Sequence, residues 1–210
     1  MGKLYLIGAG GLAREIYSYL KEEEFIYQGY QLVGFLSDNI ADLDSYSVTH
    51  KIVDNILSTQ VTAEDAVLIA VADCQFKQVL YQFYNKTGCK LVTYIHPSAF
   101  IGNNVTIGEG SIICPYAILT TDIEIGKAVT INAHSSVGHD AAIGDYSTLS
   151  GHCDITGFVK IGESVFFGSH ALVIPKIQVE SESIIGAGSV VISKVKAGST
   201  VFGNPAKKIK

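Results

Sequence analysis

Charged side chains make up only 17% of the 210 residues, and the formal net charge is −5. So lightly charged and acidic a chain is not a nucleic-acid binder, because neutralising a phosphate backbone takes a basic surface. Cysteine is scarce as well. Cys74, Cys89, Cys114 and Cys153 share no CxxC or other metal spacing, so they read as reduced thiols of a cytosolic protein. No apolar run approaches the length of a membrane span. Residues 1–7 are apolar but show no cleavage site and run on to Arg14 and Glu15, so no secretory leader is expected. Leu6 stands where a myristoylation pattern needs Ser or Thr. These absences together predict a soluble cytoplasmic protein with no membrane partner.

What the chain does have is a repeat. Every sixth residue from Ile95 to Ala197 is apolar, through Ile101, Ile107, Ile113, Leu119 and onward, for 18 hexads. The residue four places after each is small or β-branched in most hexads, for example Val105, Ala117, Val129, Ala141, Cys153 and Val165. A helix buries every third or fourth residue and a plain strand every second. A period of six with two inward positions describes a short strand, a corner and the next short strand. About half the second positions are glycine, which would tolerate a positive φ at the corner. Three hexads close a triangular coil of about 18 residues, which predicts a parallel β-helix of about six coils. Its flat sides invite packing against copies of the chain.

The preceding residues alternate between strand and helix patterns. Strands are expected over 3–7, 31–36, 67–71 and 90–94, and helices over 14–24 and about 73–86. This predicts a small parallel α/β domain over residues 1–94, with the β-helix over 95–210. A ligand crevice belongs at the carboxyl ends of such strands. Gly8-x-Gly10-x-x-Ala13 fits the dinucleotide pattern between strand and helix, where backbone can approach a phosphate. Asp38, ending the second strand, is placed for a ribose hydroxyl or a sugar. The domain has too few strands for a whole dinucleotide, so a nucleotide or a nucleotide-linked small molecule fits better. A ligand-free tight turn is the alternative.

Histidine is the default proton carrier near neutral pH. In the hexad frame His139 points outward, with Gly157 one coil later in its column and Thr121 one coil earlier. The glycine is expected to leave a slot beside the imidazole in which a thin acyl chain could lie. A corner could bring the Asp140 carboxylate to the ring and raise its basicity. His134, His152 and His170 are 18 apart and should stack in one column. A straight ladder converges poorly on a tetrahedral metal, so a solvated or subunit-interface ladder is the favoured reading. His96 reads as structural, and His50 as a loop residue. From residue 155 onward seven lysines face three glutamates, a local +4, which suits a small anionic ligand.

Taken together, the hexads, Ser136-Val137-Gly138-His139-Asp140, Gly186-Ala187-Gly188-Ser189-Val190-Val191 and the closing Gly203-Asn204-Pro205-Ala206-Lys207 resemble the NeuD/PglD group of sugar acetyltransferases. Gly8-Ala9-Gly10-Gly11 and Phe35-Leu36-Ser37-Asp38 do so too. The resemblance spans nearly the whole chain. It implies a Rossmann-like domain followed by a left-handed β-helix, and a homotrimer with sites between neighbouring prisms. Acetyl-CoA is the implied donor and no metal is implied. The implied acceptor is the amino group of a nucleotide-linked 4-amino-4,6-dideoxy sugar in surface polysaccharide or glycan biosynthesis, or alternatively a sialic acid hydroxyl. Residue by residue, His139 matches the catalytic base and Asp140 its acidic neighbour. Asn132 matches a residue close to the acceptor. Gly10, Gly11, Ser37, Asp38, Ala72 and Asp73 match the acceptor-nucleotide pocket. Gly157, Ser169, Gly186, Ala187 and Lys207 fall toward CoA. Leu12, in the same pocket, departs from the histidine that many members carry there. Two other readings stay open: a γ-type carbonic anhydrase using His134 and His139, and a non-catalytic nucleotide-sugar binder.

Overall fold

The computed structural model describes residues 2–210, and the chain forms two compact units. One comprises the residues up to Ala72 together with Phe76–Val92; the other comprises Asp73–Gln75 and Thr93–Lys210.

The first unit contains β1 (Gly2–Ile7), α1 (Gly11–Glu22), β2 (Ile26–Tyr27), β3 (Tyr30–Leu36), β4 (Ile52–Asp54), β5 (Ala66–Ile69), most of α2 (Cys74–Thr87) and β6 (Lys90–Leu91). The sheet order is β2-β3-β1-β5-β6 with β4 on β3, and only β2 runs antiparallel. Every residue of β5 is buried, as parallel strands covered on both faces require. Helix α1 buries Ala13, Ile16, Tyr17 and Leu20, the i, i+3, i+4, i+7 stripe of an amphipathic helix. β2 and β3 form a hairpin whose two turn residues, Gln28 and Gly29, both have positive φ. That hairpin and the three-residue β4 fall outside the four predicted strands. The strand expected over 90–94 is two strands. Lys90–Leu91 ends the first sheet, whereas Tyr94–Ile95 is the first strand of the second unit. Between them the Thr93 hydroxyl donates to Gly108 O (3.3 Å) and accepts the Gly110 N–H (3.0 Å).

The second unit is a three-sided left-handed parallel β-helix. Its first side stacks Tyr94–Ile95, Ile112–Ile113, Thr130–Ile131, Thr148–Leu149, Phe166–Phe167, Ile184–Ile185 and Thr200–Phe202, with Lys207–Lys208 antiparallel at the end. The second side holds six two-residue strands, Phe100–Ile101 to Val190–Val191, and the third holds five, Val105–Ile107 to Gln178–Val179. Equivalent strands pair 18 residues apart, as Ile113 with Ile131 and Val137 with Ile155. The hexad residues fill one continuous core.

The second-position glycines serve a different purpose from the one expected. None of Gly102, Gly108, Gly126, Gly138, Gly144, Gly162, Gly168 and Gly186 has a positive φ. They are required because the next coil lies against them. A Cβ on Gly144 would come within 2.5 Å of Gly162 C and 2.7 Å of Glu163 N, and backbone cannot move aside as a flexible side chain can. The left-handed conformation falls two residues later. Every sixth residue from Asn104 to Gly188 has φ between 47° and 75°, including Tyr116, His134, Asp140, His152, Phe158 and His170. Holding a bulky residue there costs of order 1–3 kcal/mol, offset by the ladder bonds on both sides of each corner.

The repeat also stops one hexad early. Val195, and not Ala197, bridges to Val179, and Val201 pairs with Ile185 at a spacing of 16. Ala197 is exposed; its N–H donates to Glu180 Oε2 (3.0 Å), and Lys194 Nζ lies 2.6 Å from Glu180 Oε1. The hydrogen bond from Lys194, then that from the Ala197 amide, holds the Glu180 carboxyl below the usual range.

Replacing Gly144 by Ala should therefore lower stability by about 2–3 kcal/mol through overpacking. The check is the shift in midpoint and free energy of chemical unfolding; an unchanged midpoint would contradict the close-approach account.

Candidate active site

His139 lies on the edge between the second and third sides, in the turn joining Ser136–Val137 to Ala142–Ile143. The backbone there is fastened to the coils on either side. Gly138 N–H donates to Ile155 O (2.6 Å), Asp140 N–H to Thr121 O (3.2 Å) and Phe158 N–H to His139 O (2.9 Å). Adjacent side chains of a flat strand point to opposite faces. At Asp140 φ is 60°, and this corner brings its Oδ2 within 2.8 Å of His139 Nδ1. An ionised carboxylate only accepts hydrogen bonds, so the neutral ring carries its proton on Nδ1 and keeps the lone pair on Nε2. The two side chains are 55% and 45% exposed, so the pair orients the ring and adds little to stability.

Gly157 does not leave an open slot, contrary to the expectation; the imidazole itself fills it. A Cβ on Gly157 would sit 2.7 Å from His139 Nε2 and 2.8 Å from Cε1. Phe158 closes another side with an edge-on contact at 5.1 Å and 89°. Lys160 Nζ donates to Asp140 O (3.2 Å). One coil earlier in the Asp140 column, Asp122 accepts from Asn104 (2.9 Å) and from the Thr121 hydroxyl (3.0 Å). Those bonds hold its carboxyl below the usual range, with the charge of His139 adding to them. Beside this edge, on the third side, runs a groove of about 610 Å³ lined by Asn104, Asp122, Glu124, Ala142, Gly144 and Ile161 among others. Phe158, Lys160 and Asp122 were missed in the sequence. The signal that finds Asp122 and Phe158 is the 18-residue spacing that puts them in one column with Asp140, and the same spacing sets Lys160 above Ala142.

His139, Asp140 and Gly157 thus come together. Asn132, Ser169, Gly186 and Ala187 do not join them, because they follow strands of the first side and occupy the edge between the first and second sides. Asn132 Oδ1 receives the Cys114 thiol (3.6 Å). Ser169 O accepts the Gly188 N–H (2.9 Å). Phe202 lies against Gly186, and Lys207 pairs with Phe202 in the closing hairpin. Lys194, Lys196, Lys207 and Lys208 line a terminal groove of about 460 Å³. The expected histidine ladder stands on the same edge. Ring centroids are 5.0 Å apart for Tyr116 and His134, 4.9 Å for His134 and His152, and 4.7 Å for His152 and His170, with interplanar angles of 17°, 7° and 15°. Parallel rings do not converge on a metal, and His134 is turned into this stack on a different edge from His139. Among the described residues no group of three or more His, Cys, Asp or Glu side chains is placed to hold a metal ion.

In the first unit the loops after β1, β3 and β5 gather at one end of the sheet, since β1 pairs with both β3 and β5. Gly10 is the N-cap of α1 and Gly11 its first residue; a Cβ on either would meet nothing within 4 Å. Leu12 follows, half-buried. The Ser37 hydroxyl donates to Asp42 Oδ2 (2.7 Å), and Asp38, which is exposed, accepts the Ile56 N–H at Oδ1 (3.1 Å). Ala72 and Asp73 form the turn between β5 and α2. His50, unassigned from the sequence, packs 4.6 Å from the Phe25 ring and sits 3.3 Å from the Tyr17 hydroxyl.

The PglD N-terminal domain family model matches residues 3–83. No curated protein matches the sequence. Among solved structures, the acetyltransferase domain of PglB from Neisseria gonorrhoeae FA1090 is 25% identical with a TM-score of 0.90, covering 100% of both chains. WeeI from Acinetobacter baumannii AYE is 28% identical with a TM-score of 0.87, again over 100% of both. PerB from Caulobacter crescentus, solved in complex with CoA and GDP-perosamine, is 26% identical with a TM-score of 0.87, covering 100% of this chain and 98% of its own.

The geometry makes the His139 tautomer measurable. Long-range proton–nitrogen NMR is expected to show an Nδ1-protonated ring in the native chain. Asp140→Ala should shift the ring toward the Nε2-protonated form, and an unchanged spectrum would remove Asp140 from its orienting role.

Proposed function

We propose that this chain, a member of the NeuD/PglD-like sugar acetyltransferases, transfers the acetyl group of acetyl-CoA to the amino group of a nucleotide-linked 4-amino-4,6-dideoxy sugar, with His139 as general base. The observation that carries the reading is the His139–Asp140 pair, whose bond at Nδ1 leaves the lone pair on Nε2, with that edge of the ring lying over the bare Gly157 backbone. The solved structures with CoA and GDP-perosamine, or with acetyl coenzyme A, support the two substrate classes.

The nucleophile is a neutral amine. As its nitrogen attacks the thioester carbonyl, a proton passes to His139 Nε2 and the Asp140 carboxylate stabilises the resulting imidazolium. Collapse of the tetrahedral intermediate breaks the C–S bond, and the imidazolium returns its proton to the departing sulfur, giving amide and CoA thiol. Proton transfer of this kind contributes about 10²–10⁴-fold in rate, and alignment of the two substrates supplies much of the remainder. In this reading Gly10, Gly11, Leu12, Ser37, Asp38, Ala72 and Asp73 hold the acceptor nucleotide, and Lys207 and its neighbours draw the CoA phosphates.

Asn132, Ser169, Gly186 and Ala187 stand on a different edge of the prism from His139, so one prism does not bring both sets to a single ligand. A homotrimer joins them, with the first-second edge of one copy facing the His139 edge of the next. The second side supports this arrangement: Phe100 and Ile118 are exposed at 60% and 45% in its outward column, and Leu172 and Val190 stand half-buried in the same column beyond the polar pair Ser136 and Asp154.

Two measurements test the proposal. Thiol release from acetyl-CoA, assayed across GDP-, UDP- and dTDP-linked 4-amino sugars, should fall at least a hundredfold in His139→Ala with CoA binding retained; near-normal turnover would remove the base assignment. Ile118→Asp should convert a trimer into monomers by light scattering and abolish activity with it. A chain already monomeric in its native form would contradict the shared site.

A further inference from the structure

The groove of about 610 Å³ beside the His139 edge is acidic. Asn104, Thr106, Asp122 and Glu124 supply its polar groups, and among the described residues that line it no side chain is basic. Both carboxylates are exposed. Asp122 is also held in place. It occupies a left-handed corner at φ 55°, where Asn104 Nδ2 donates to Oδ1 (2.9 Å) and the Thr121 hydroxyl donates to Oδ2 (3.0 Å). These donors favour the ionised form, and the charge of His139 does so too. A carboxylate has about four lone-pair sites, so two bonds leave it able to accept more. Glu124 pairs in register with Thr106 below and Ala142 above, and the short side chain of Ala142 leaves room beside the carboxylate. Lys160 follows Ala142 in that column, and its Nζ is engaged with Asp140 O (3.2 Å).

We propose that Asp122 and Glu124 select the acceptor by its charge, drawing a sugar ammonium along this groove to His139 in preference to a hydroxyl. The inference rests on the acetyl-transfer reading and adds to it what would make the acceptor an amine. In the shared-site arrangement the second side lies against a neighbouring copy, so the third side is the face left to the acceptor. An amine with an ordinary pKa of about 8 arrives at neutral pH mostly as the ammonium. Such a charge is attracted by the two carboxylates over about 8–10 Å at moderate salt, whereas a hydroxyl is not. The ammonium itself cannot attack a thioester. It gives one proton to solvent water, and a second passes to His139 Nε2 as the nitrogen attacks. Asp122 and Glu124 touch no reacting atom; they raise the local concentration of the amine.

Calorimetry on the full chain reads this selection. The probes are GDP-, UDP- and dTDP-linked 4-amino-4,6-dideoxyhexoses, each beside its 4-hydroxy counterpart. The native chain should bind the amino form of at least one pair more tightly, and that preference should shrink in about 0.5 M salt. Asp122→Asn should weaken the amino form about threefold, and adding Glu124→Gln should weaken it further, while the hydroxy form keeps its affinity. Equal weakening of both forms would mark a structural role and overturn the proposal. So would a preference that the double variant or the salt leaves intact, or a native chain with no preference for the amine. Because binding is read without turnover, the two readings separate. A charge-dependent preference in a chain that releases no CoA thiol would sink the transferase reading alone. Acetyl transfer with a preference independent of Asp122 and Glu124 would sink the selection alone.

Discussion

Each coil of the prism lies one strand spacing, about 4.8 Å, from the next, held by backbone bonds between strands only two or three residues long. So short a strand supplies few ladder bonds, and at about half of the turns backbone meets backbone of the next coil. The second-position glycines allow that approach, since a side chain there would strike the peptide of the following coil. Once glycine permits the contact, the left-handed residue two places later turns the chain onto the next side. Repetition of this unit every six residues makes columns in which side chains 18 apart sit one coil above another.

The candidate site is a consequence of those columns. His139 and Gly157 are column mates, and the missing side chain of the second makes room for the ring of the first. Asp140 occupies the left-handed position, which redirects its carboxylate toward the imidazole of its own neighbour in sequence. The same stacking aligns Tyr116, His134, His152 and His170 face to face. Two edges of one prism thus carry different equipment, a proton acceptor on one and a ribbon of small residues and rings on the other. A flat, partly apolar side separates them, and packing of copies on that side is what would bring the two together.

Much of this was legible in the chain because inward positions must be apolar and the period of six leaves little latitude. The histidine column and the outward placement of His139 followed from counting by 18. The role of the glycines did not, since glycine answers both to close approach and to positive φ, and sequence does not separate the two. Nor did it show that Tyr, Phe, His and Asp would hold left-handed corners, which local preference disfavours and the surrounding ladder imposes. The last hexad failed at Ala197 because the closing coil is two residues short. The β2 hairpin and β4 are too brief for any alternation to register. In the first unit, Gly10 was singled out by its motif and Gly11 by the resemblance, whereas the engagement of Ser37 with Asp42 and of Asp38 with Ile56 depends on loops whose course no periodicity describes.

The most direct test of the central claim, one imidazole serving a thioester bound between copies, is a crystal structure of the chain with CoA and a nucleotide-linked amino sugar. The account places the CoA sulfur and the sugar amine beside His139 Nε2 of one copy, with the cofactor running along the Ser169–Ala187 corner of its neighbour. A sulfur lodged away from His139, or a cofactor contained wholly within a single prism, would contradict it.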